Sequence, residues 1–178
     1  GASVTISGNG STAIVGAYRD NDNGSQSGSA YIYELAKGAW QETKILASDG
    51  ADNDRFGYSV SISSDGTTAI VGAPWEEDNG YLSGSAYIYS LAKGVWQETK
   101  LTASDGQEYD YFGESVAVSG SMVIVGAREA SNNDSLTGSA YIYSLVEGVW
   151  QETKLLASDG ASYDYFGCSI SISNDGMT

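Results

Sequence analysis

A unit of about 55 residues repeats along this chain. The hexapeptide GSAYIY occurs three times, at 28–33, 84–89 and 138–143. Each copy is followed by the pentapeptide WQETK, then by ASDG, and then by a Phe-Gly pair. The Phe-Gly glycines at 57, 113 and 167 are separated by 56 and 54 residues. A fixed period of this size indicates one supersecondary unit stacked on copies of itself.

Each unit contains four segments that read as β-strands. In the second unit, residues 59–63 alternate small polar with β-branched side chains, which is the period of a strand. Residues 68–73 form a short apolar run, as expected for a strand covered on both faces. Residues 85–91 are rich in strand-forming types. Residues 95–101 carry charges that suit an exposed outer edge.

Four antiparallel strands in every 54–56 residues, without helical periodicity, predict an all-β chain of tandem β-propeller blades. A sandwich of two stacked sheets is the alternative, but near-identical units do not naturally alternate between two sheets. The predicted divisions are blade 1 at 1–56, blade 2 at 57–112, blade 3 at 113–166, and the first strand of a further blade at 167–178. The expected innermost strands are 3–7, 59–63, 115–119 and 169–173.

Three blades with one extra inner strand are one propeller domain or part of one. A closed propeller normally needs at least four blades. The sequence therefore predicts either further blades of a longer chain or self-association, as a homodimer or head to tail.

Composition excludes several classes of partner and chemistry. Eight Lys and Arg against 23 Asp and Glu give a net charge of −15, which disfavours nucleic acid and anionic membranes. No apolar run is long enough for membrane insertion. Histidine is absent, which removes the usual general base, and the single Cys168 is interpreted as an incidental thiol. We predict no enzymatic activity, with a two-carboxylate hydrolase as the remaining catalytic alternative.

Most of the acidic residues fall at one end of the predicted blades, which we call the loop face. It holds 15 of the 23 Asp and Glu, and it varies most between units. Variable loops on a rigid scaffold are where binding usually occurs. The loop face comprises the second-to-third-strand loops 18–27, 74–83 and 128–137 and the blade-linking loops 48–55, 104–111 and 158–165.

Two sets of loop-face residues are candidates for binding. An Asp pair spaced by five residues precedes each Phe-Gly, and it suits either cation coordination or bonding to turn amides. These weak metal candidates are Asp49, Asp54, Asp105, Asp110, Asp159 and Asp164. Acids and aromatics in the other loops are candidates for binding a protein or a glycan. They are Asp20, Asp22, Trp75, Glu76, Glu77, Asp78, Tyr81, Glu129 and Asp134.

Other aromatic residues are predicted to be structural. Tyr111 and Tyr165 precede phenylalanines and are expected to pack between blades. Trp40, Trp96 and Trp150 occupy one repeat position and are expected to pack against neighbouring blades.

The repeat resembles the FG-GAP repeat of integrin-α-type propellers. Phe56-Gly57 is followed by Ser59-Val60 and then by the VGAP sequence at 71–74, although Ala17-Tyr18 and Ala127-Arg128 lack the proline. Calcium-binding members have several carboxylates in the first hairpin of the blade. Here the hairpins at 7–10, 63–66, 119–121 and 173–176 hold at most one each. We therefore expect no calcium in these hairpins, and if calcium binds at all, the Asp pairs are the place.

The resemblance implies a non-catalytic extracellular or cell-surface adhesion module that binds protein. A lectin-like module that uses the loop aromatics and carboxylates is the alternative. Asn9, Asn23 and Asn133 lie in N-x-S/T sequons, which weakly supports a secreted setting.

Overall fold

The computed structural model describes residues 1, 3–132 and 135–173. It has strands, turns and bends, and no helix among the described residues. Accordingly, no helix in that part of the chain could cross a membrane. The all-β prediction is confirmed.

Three four-stranded antiparallel sheets follow one another along the chain. Blade 1 consists of β1 (Ser3–Ile6), β2 (Thr12–Ala17), β3 (Ser29–Ala36) and β4 (Ala39–Ile45). Blade 2 consists of β5 (Ser59–Ile62), β6 (Thr68–Ala73), β7 (Ser85–Ala92) and β8 (Val95–Leu101). Blade 3 consists of β9 (Phe112–Ser119), β10 (Met122–Ala127), β13 (Ser139–Val146) and β14 (Val149–Leu155). A small hairpin, β11 (Ser131–Asn132) and β12 (Ser135–Leu136), lies in the loop between β10 and β13.

The first strands of the blades lie side by side, as in a propeller. β1 contacts β5, and β5 contacts β9. Together with residues 170–172 they line a cavity of about 380 Å³. The predicted innermost positions of the first three strands are therefore confirmed, although β9 begins three residues early at Phe112.

The predicted fourth inner strand at 169–173 is wrong. These residues line the cavity beside Val116 and Val118 but make no strand ladder. A first strand is held by hydrogen bonds to the second strand of its own blade, and no such strand follows it among the described residues.

Two hydrophobic cores lie between the blades. The core between blades 1 and 2, which we call the first seam, includes Ile14, Ile32, Val71 and Tyr87. The core between blades 2 and 3, the second seam, includes the equivalent residues Ile70, Ile88, Val125 and Tyr141. Stability therefore comes from stacking blades rather than from a core inside each sheet.

The repeated motifs meet at these seams. Phe56 is fully buried with its ring edge-on to Tyr87 and Tyr89, at centroid distances of 5.3 and 6.1 Å. Phe112 meets Tyr141 and Tyr143 in the same way, at 5.3 and 6.2 Å. The phenylalanines of the first two Phe-Gly pairs therefore insert between the two tyrosines of the next GSAYIY segment.

Glycine begins that segment because the backbones approach closely. Gly28 has a φ of 86° and forms a parallel bridge with Phe56, and a Cβ there would collide with the Phe56 carbonyl. Only glycine combines this positive φ with the absence of a side chain.

The three tryptophans occupy equivalent positions, opposite Leu35, Leu91 and Leu145. Trp96 packs against the first seam and Trp150 against the second. Trp40 remains 48% exposed, because no blade formed by the described residues covers that side of blade 1.

Candidate ligand-binding face

The loops of the loop face interlock within each unit and between neighbours. Asn53 N donates to Ser25 O at 2.7 Å, and Tyr109 N donates to Tyr81 O at 2.8 Å. Across the first seam, Trp75 N donates to Asp54 O at 3.4 Å. The loops thus form one continuous surface on which acids and aromatics of adjacent blades meet.

A lysine from the outer strand occupies a cluster of three carboxylates. In blade 2, Lys100 Nζ lies 2.6 Å from Asp49 and 3.0 Å from Glu76, and it also pairs with Asp78. The Tyr87 hydroxyl donates to the other oxygen of Asp49 at 2.9 Å. These three carboxylates are close enough to hold a metal ion, but their oxygens surround an ammonium group. The cluster is therefore a cross-blade ion-pair network.

The pKa values follow from this network. Although partial burial opposes the shift, hydrogen bonds from Lys100 and Tyr87 lower the pKa of Asp49. Burial works against the charge of Lys100 too, but the three carboxylates raise its pKa. In blade 1, hydrogen bonds from Lys44 and Ser29 hold the pKa of Asp20 far below its usual range.

The other units repeat part of the network. In blade 3, Lys154 Nζ pairs with Asp105 at 2.6 Å, and the Tyr141 hydroxyl donates to Asp105 at 2.9 Å. In blade 1, Lys44 pairs with Asp20 at 2.8 Å and with Asp22. The lysine was not predicted as part of the site. Its recurrence in every WQETK segment was the signal that could have indicated it.

The second Asp of each spaced pair accepts a backbone N–H within its own turn. Asp54 accepts from Ala51 at 2.6 Å, Asp110 from Gln107 at 2.8 Å, and Asp164 from Ala161 at 2.7 Å. Asp54 is only 5% exposed, and this burial raises its pKa to about 6, with the charges of Glu76 and Asp49 adding to the effect. Asp159 is exposed.

The first hairpins of the blades do not have the donor set of a calcium loop. Asp65 Oδ1 accepts from Ser63 Oγ, Thr67 N and Thr67 Oγ1 at 2.6–3.0 Å. Asn9, an amide, makes the same bonds with Ser7 and Ser11. One carboxylate or none, already engaged with the turn, is a poor match for an ion that takes six to eight oxygens.

Trp75 is covered by an arginine from the neighbouring blade. The Arg55 guanidinium carbon lies 3.1 Å from the Trp75 ring centroid and 5.6 Å from that of Tyr18. In the second seam, Arg128 stacks on Tyr111 at 4.9 Å and pairs with Glu114 and Glu129 at 2.8 and 3.2 Å. Tyr111 thus lies between blades, as predicted from the sequence.

Four residues of blade 2 form an exposed group, which we call the tyrosine patch. Tyr81 and Tyr109 are 51% and 47% exposed, with ring centroids 5.4 Å apart and an interplanar angle of 77°. Glu77 and Glu108 are exposed in the same loops. Glu108 lies against Gly80, and Gly80 N donates to Glu77 O at 3.1 Å. Only Tyr81 and Glu77 of these four were predicted. Tyr109 and Glu108 belong to a linking loop, and their position beside Tyr81 depends on loop pairing that no short pattern reveals.

The remaining predicted residues lie apart from this patch. Glu76 is buried and accepts from Ser85 Oγ at 2.7 Å, so it serves the network. Asp134 and the sequon residue Asn133 lie outside the described residues. The side-chain amides of the other sequon residues are engaged: Asn9 Nδ2 donates to Asp65 O at 2.9 Å and Asn23 Nδ2 to Ala47 O at 3.1 Å.

Comparison with known families identifies the repeat. The family model described as FG-GAP repeat matches residues 1–33, 40–89, 96–143 and 150–178. The chain therefore belongs to the FG-GAP repeat family, whose repeats build propeller-type protein-interaction modules that are generally non-enzymatic and typical of extracellular proteins. A search of curated proteins gives no significant match.

Proposed function

We propose that this chain is a non-catalytic, extracellular or cell-surface adhesion module that binds a protein partner through the tyrosine patch. The observation that carries the proposal is the pair of half-exposed tyrosines, Tyr81 and Tyr109, whose rings lie 5.4 Å apart in loops that also hold the exposed Glu77 and Glu108. Tyrosine supplies large, rigid contact area and is enriched at interaction hot spots.

The charge of the patch indicates the chemistry of the partner. Most other loop-face acids are engaged: lysines pair with Asp49, Asp78 and Asp105, while Asp54 and Asp110 hold turns. Glu77 and Glu108 are exposed in the same two loops as Tyr81 and Tyr109. A partner segment that presents Arg or Lys next to an apolar side chain would complement them.

A peptide array tests this proposal. The probe is a fluorescent reagent that carries four linked copies of the chain, which we call the tetramer. It is applied to surface-bound peptides that are basic, neutral or acidic but matched in apolar content. We expect binding to basic peptides, weakened by salt and lost in the double variant Tyr81→Ser/Tyr109→Ser. The matched control is Tyr163→Ser, because Tyr163 is 64% exposed on another linking loop. Equal binding to all peptides, or equal loss in the control, would contradict the proposal.

The lectin-like alternative uses the same exposed rings beside carboxylates. Trp75 is a poor sugar platform because Arg55 covers its ring. Tyr81 and Tyr109 would have to stack on the glycan. A glycan array with the same tetramer separates the two functions, since dose-dependent glycan binding that is lost in the double variant would favour the lectin.

A further inference from the structure

The two end faces of the blade stack are exposed copies of the two sides of a seam. The N-terminal face is the side of blade 1 turned away from blade 2. There Val4 and Ile6 are 70% and 58% exposed, whereas their blade 2 equivalents, Val60 and Ile62, are 7% and 6% exposed. Blade 1 therefore presents a surface that blades 2 and 3 bury.

The C-terminal face, on the far side of blade 3, shows the matching difference. Leu155 is 37% exposed, whereas the equivalent Ile45 and Leu101 are each 7% exposed. Phe166 is only partly buried, whereas Phe56 is fully buried between two tyrosines. This face has the side chains that fill a seam, but no tyrosine pair covers them among the described residues.

We propose that a second copy of this chain docks its C-terminal face on the N-terminal face of the first, forming a third kind of seam between copies. The contact is heterologous, so two copies close into a ring if the curvature of the blades permits. Such a ring would have about six blades, within the usual range for propellers.

Polar groups on the two faces are complementary at the same positions as in the seams. In both seams, the Asp of the ASDG segment accepts from a tyrosine hydroxyl and pairs with the lysine of the next blade. Lys44 and Tyr31 occupy those positions on the N-terminal face, where both bond to Asp20 of their own blade, at 2.8 and 3.0 Å. Asp159 occupies the Asp position on the C-terminal face and is exposed. Docking would bring Asp159 of one copy to Lys44 and Tyr31 of the other.

The residues that make arginine–aromatic contacts in the seams also have counterparts on the two end faces. The first seam stacks Arg55 on Trp75, and the second stacks Tyr111 on Arg128. Tyr165 holds the position of Arg55 and Tyr111, whereas Arg19 holds that of Trp75 and Tyr18 holds that of Arg128. Beside Arg19 and Tyr18 lies a hollow of about 320 Å³. The linking loop before Phe166 in a second copy would fill it, as residues 54 and 55 cover Trp75 in the first seam.

Sedimentation equilibrium of the chain is the first test. At tens of micromolar we expect a mass of about twice 18.6 kDa. Larger, concentration-dependent species would also support this contact, because a heterologous contact that does not close propagates. A folded monomer at these concentrations would overturn the proposal and assign the faces to further blades of a longer chain or to another protein.

Charge reversal tests the specific contact. Lys44→Asp and Asp159→Lys should each weaken self-association at least about tenfold, because each places like charges opposite one another. Mixing the two variants pairs opposite charges at both contacts, so we expect the mixture to regain wild-type association. Recovery in the mixture also shows that both variants are folded.

A matched control separates this effect from net charge. Lys37→Glu makes a charge change of the same sign at an exposed hairpin tip where the equivalent residue in blade 3 is already Glu147, with nearly the same φ of 50°. It should leave association unchanged. Equal weakening by Lys37→Glu, or no recovery on mixing, would overturn the assignment of Asp159 to Lys44.

Discussion

The first and second seams share one set of contacts and differ in another. In both, an ASDG aspartate reaches a tyrosine hydroxyl at 2.9 Å and a lysine at 2.6 Å. In both, a phenylalanine inserts between two tyrosines. Glu76, however, becomes Ala130 and Trp75 becomes Glu129, so the Arg55–Trp75 stack is lost and the second seam instead stacks Tyr111 on Arg128, one residue earlier in the repeat. The shared contacts hold blades together, whereas the differing ones give each part of the loop face its own surface.

Substituting the glycines that contact the next blade should lower the free energy of unfolding the most, and by the same amount in the two seams. A Cβ on Gly16 or Gly72 would overlap the carbonyl oxygen of Gly57 or Gly113 in the next blade. Since backbone cannot move aside as a side chain can, we expect Gly16→Ala and Gly72→Ala each to cost about 3 kcal/mol or more in urea unfolding.

Gly126→Ala provides the comparison for that prediction. Its Cβ would meet the Gly167 oxygen in the same way, but Gly167 leads into a segment without a strand ladder. That segment can shift, so the cost should be roughly half as large. Equal costs at all three glycines would mean that residues 167–173 are held as firmly as a blade.

Removing the lysine should lower the free energy of unfolding by different amounts in the two seams. Lys100→Met leaves Asp49, Glu76 and Asp78 facing one another, whereas Lys154→Met leaves Asp105. Because Glu76 is buried, we expect a loss of about 2–3 kcal/mol for Lys100→Met and about 1 kcal/mol for Lys154→Met. Denaturant titrations at neutral pH measure both. Equal losses would show that Glu76 and Asp78 contribute nothing to the difference between seams.

The same pair of variants indicates whether the cluster has affinity for cations. With the ammonium removed, three carboxylates capable of holding a metal ion remain in blade 2. Added Ca²⁺ should therefore raise the melting temperature of Lys100→Met more than that of Lys154→Met. The wild-type chain is the control, and an equal rise in all three would contradict this expectation.

Buried aspartates should make the free energy of unfolding depend on pH in both seams, and more strongly in the first. Burial raises the folded pKa of Asp54 from 3.8 to about 6, so the folded state binds this proton more tightly than the unfolded state. The stability from this group is present at pH 4 and is lost as the pH rises to about 6. Relative to wild type, the free energy of unfolding of Asp54→Asn should therefore rise by about 2 kcal/mol between pH 4 and pH 7.

Asp110→Asn is the matched variant in the second seam. Burial also raises the pKa of Asp110, but Ala130 stands where Glu76 would add a further negative charge. Its gain over the same pH range should be smaller. Unfolding at several pH values measures both, and a larger gain for Asp110→Asn would contradict a role for Glu76.

The sequence predicted the fold closely because the strand pattern recurs. Residues predicted as strands at 68–73 and 95–101 match β6 and β8 residue for residue. The segment 169–173 failed because its alternation matches β5 but its hydrogen-bonding partner does not follow it among the described residues. Alternation indicates the faces of a strand, but a ladder needs a neighbour.

The candidate site was less predictable because it depends on contacts between units. Trp75 and Glu76 were identified as binding residues by type, yet Arg55 covers one and Lys100 engages the other. Both partners come from other segments of the sequence. Tyr109 joins Tyr81 only through the pairing of two loops. Composition identified the face on which acids and aromatics gather, but not which of these residues are exposed.

The smallest predicted effect concerns a serine at the same position in each unit. Ser48 Oγ donates to Glu98 at 2.6 Å across the first seam, and Ser104 Oγ donates to Glu152 at 2.6 Å across the second. Because these bonds are exposed, Ser48→Ala and Ser104→Ala should each cost only about 0.5–1 kcal/mol, and equally.

Ser158 has the same position at the end of the third unit, where no following blade offers a glutamate among the described residues. Ser158→Ala should therefore leave unfolding of the dilute monomer unchanged, but it should weaken self-association if Glu42 of a second copy takes the place of Glu98. Sedimentation and denaturant titrations on the same samples measure both quantities. A loss of monomer stability in Ser158→Ala would show that the serine has a partner within the chain, and the end face would then not be equivalent to a seam.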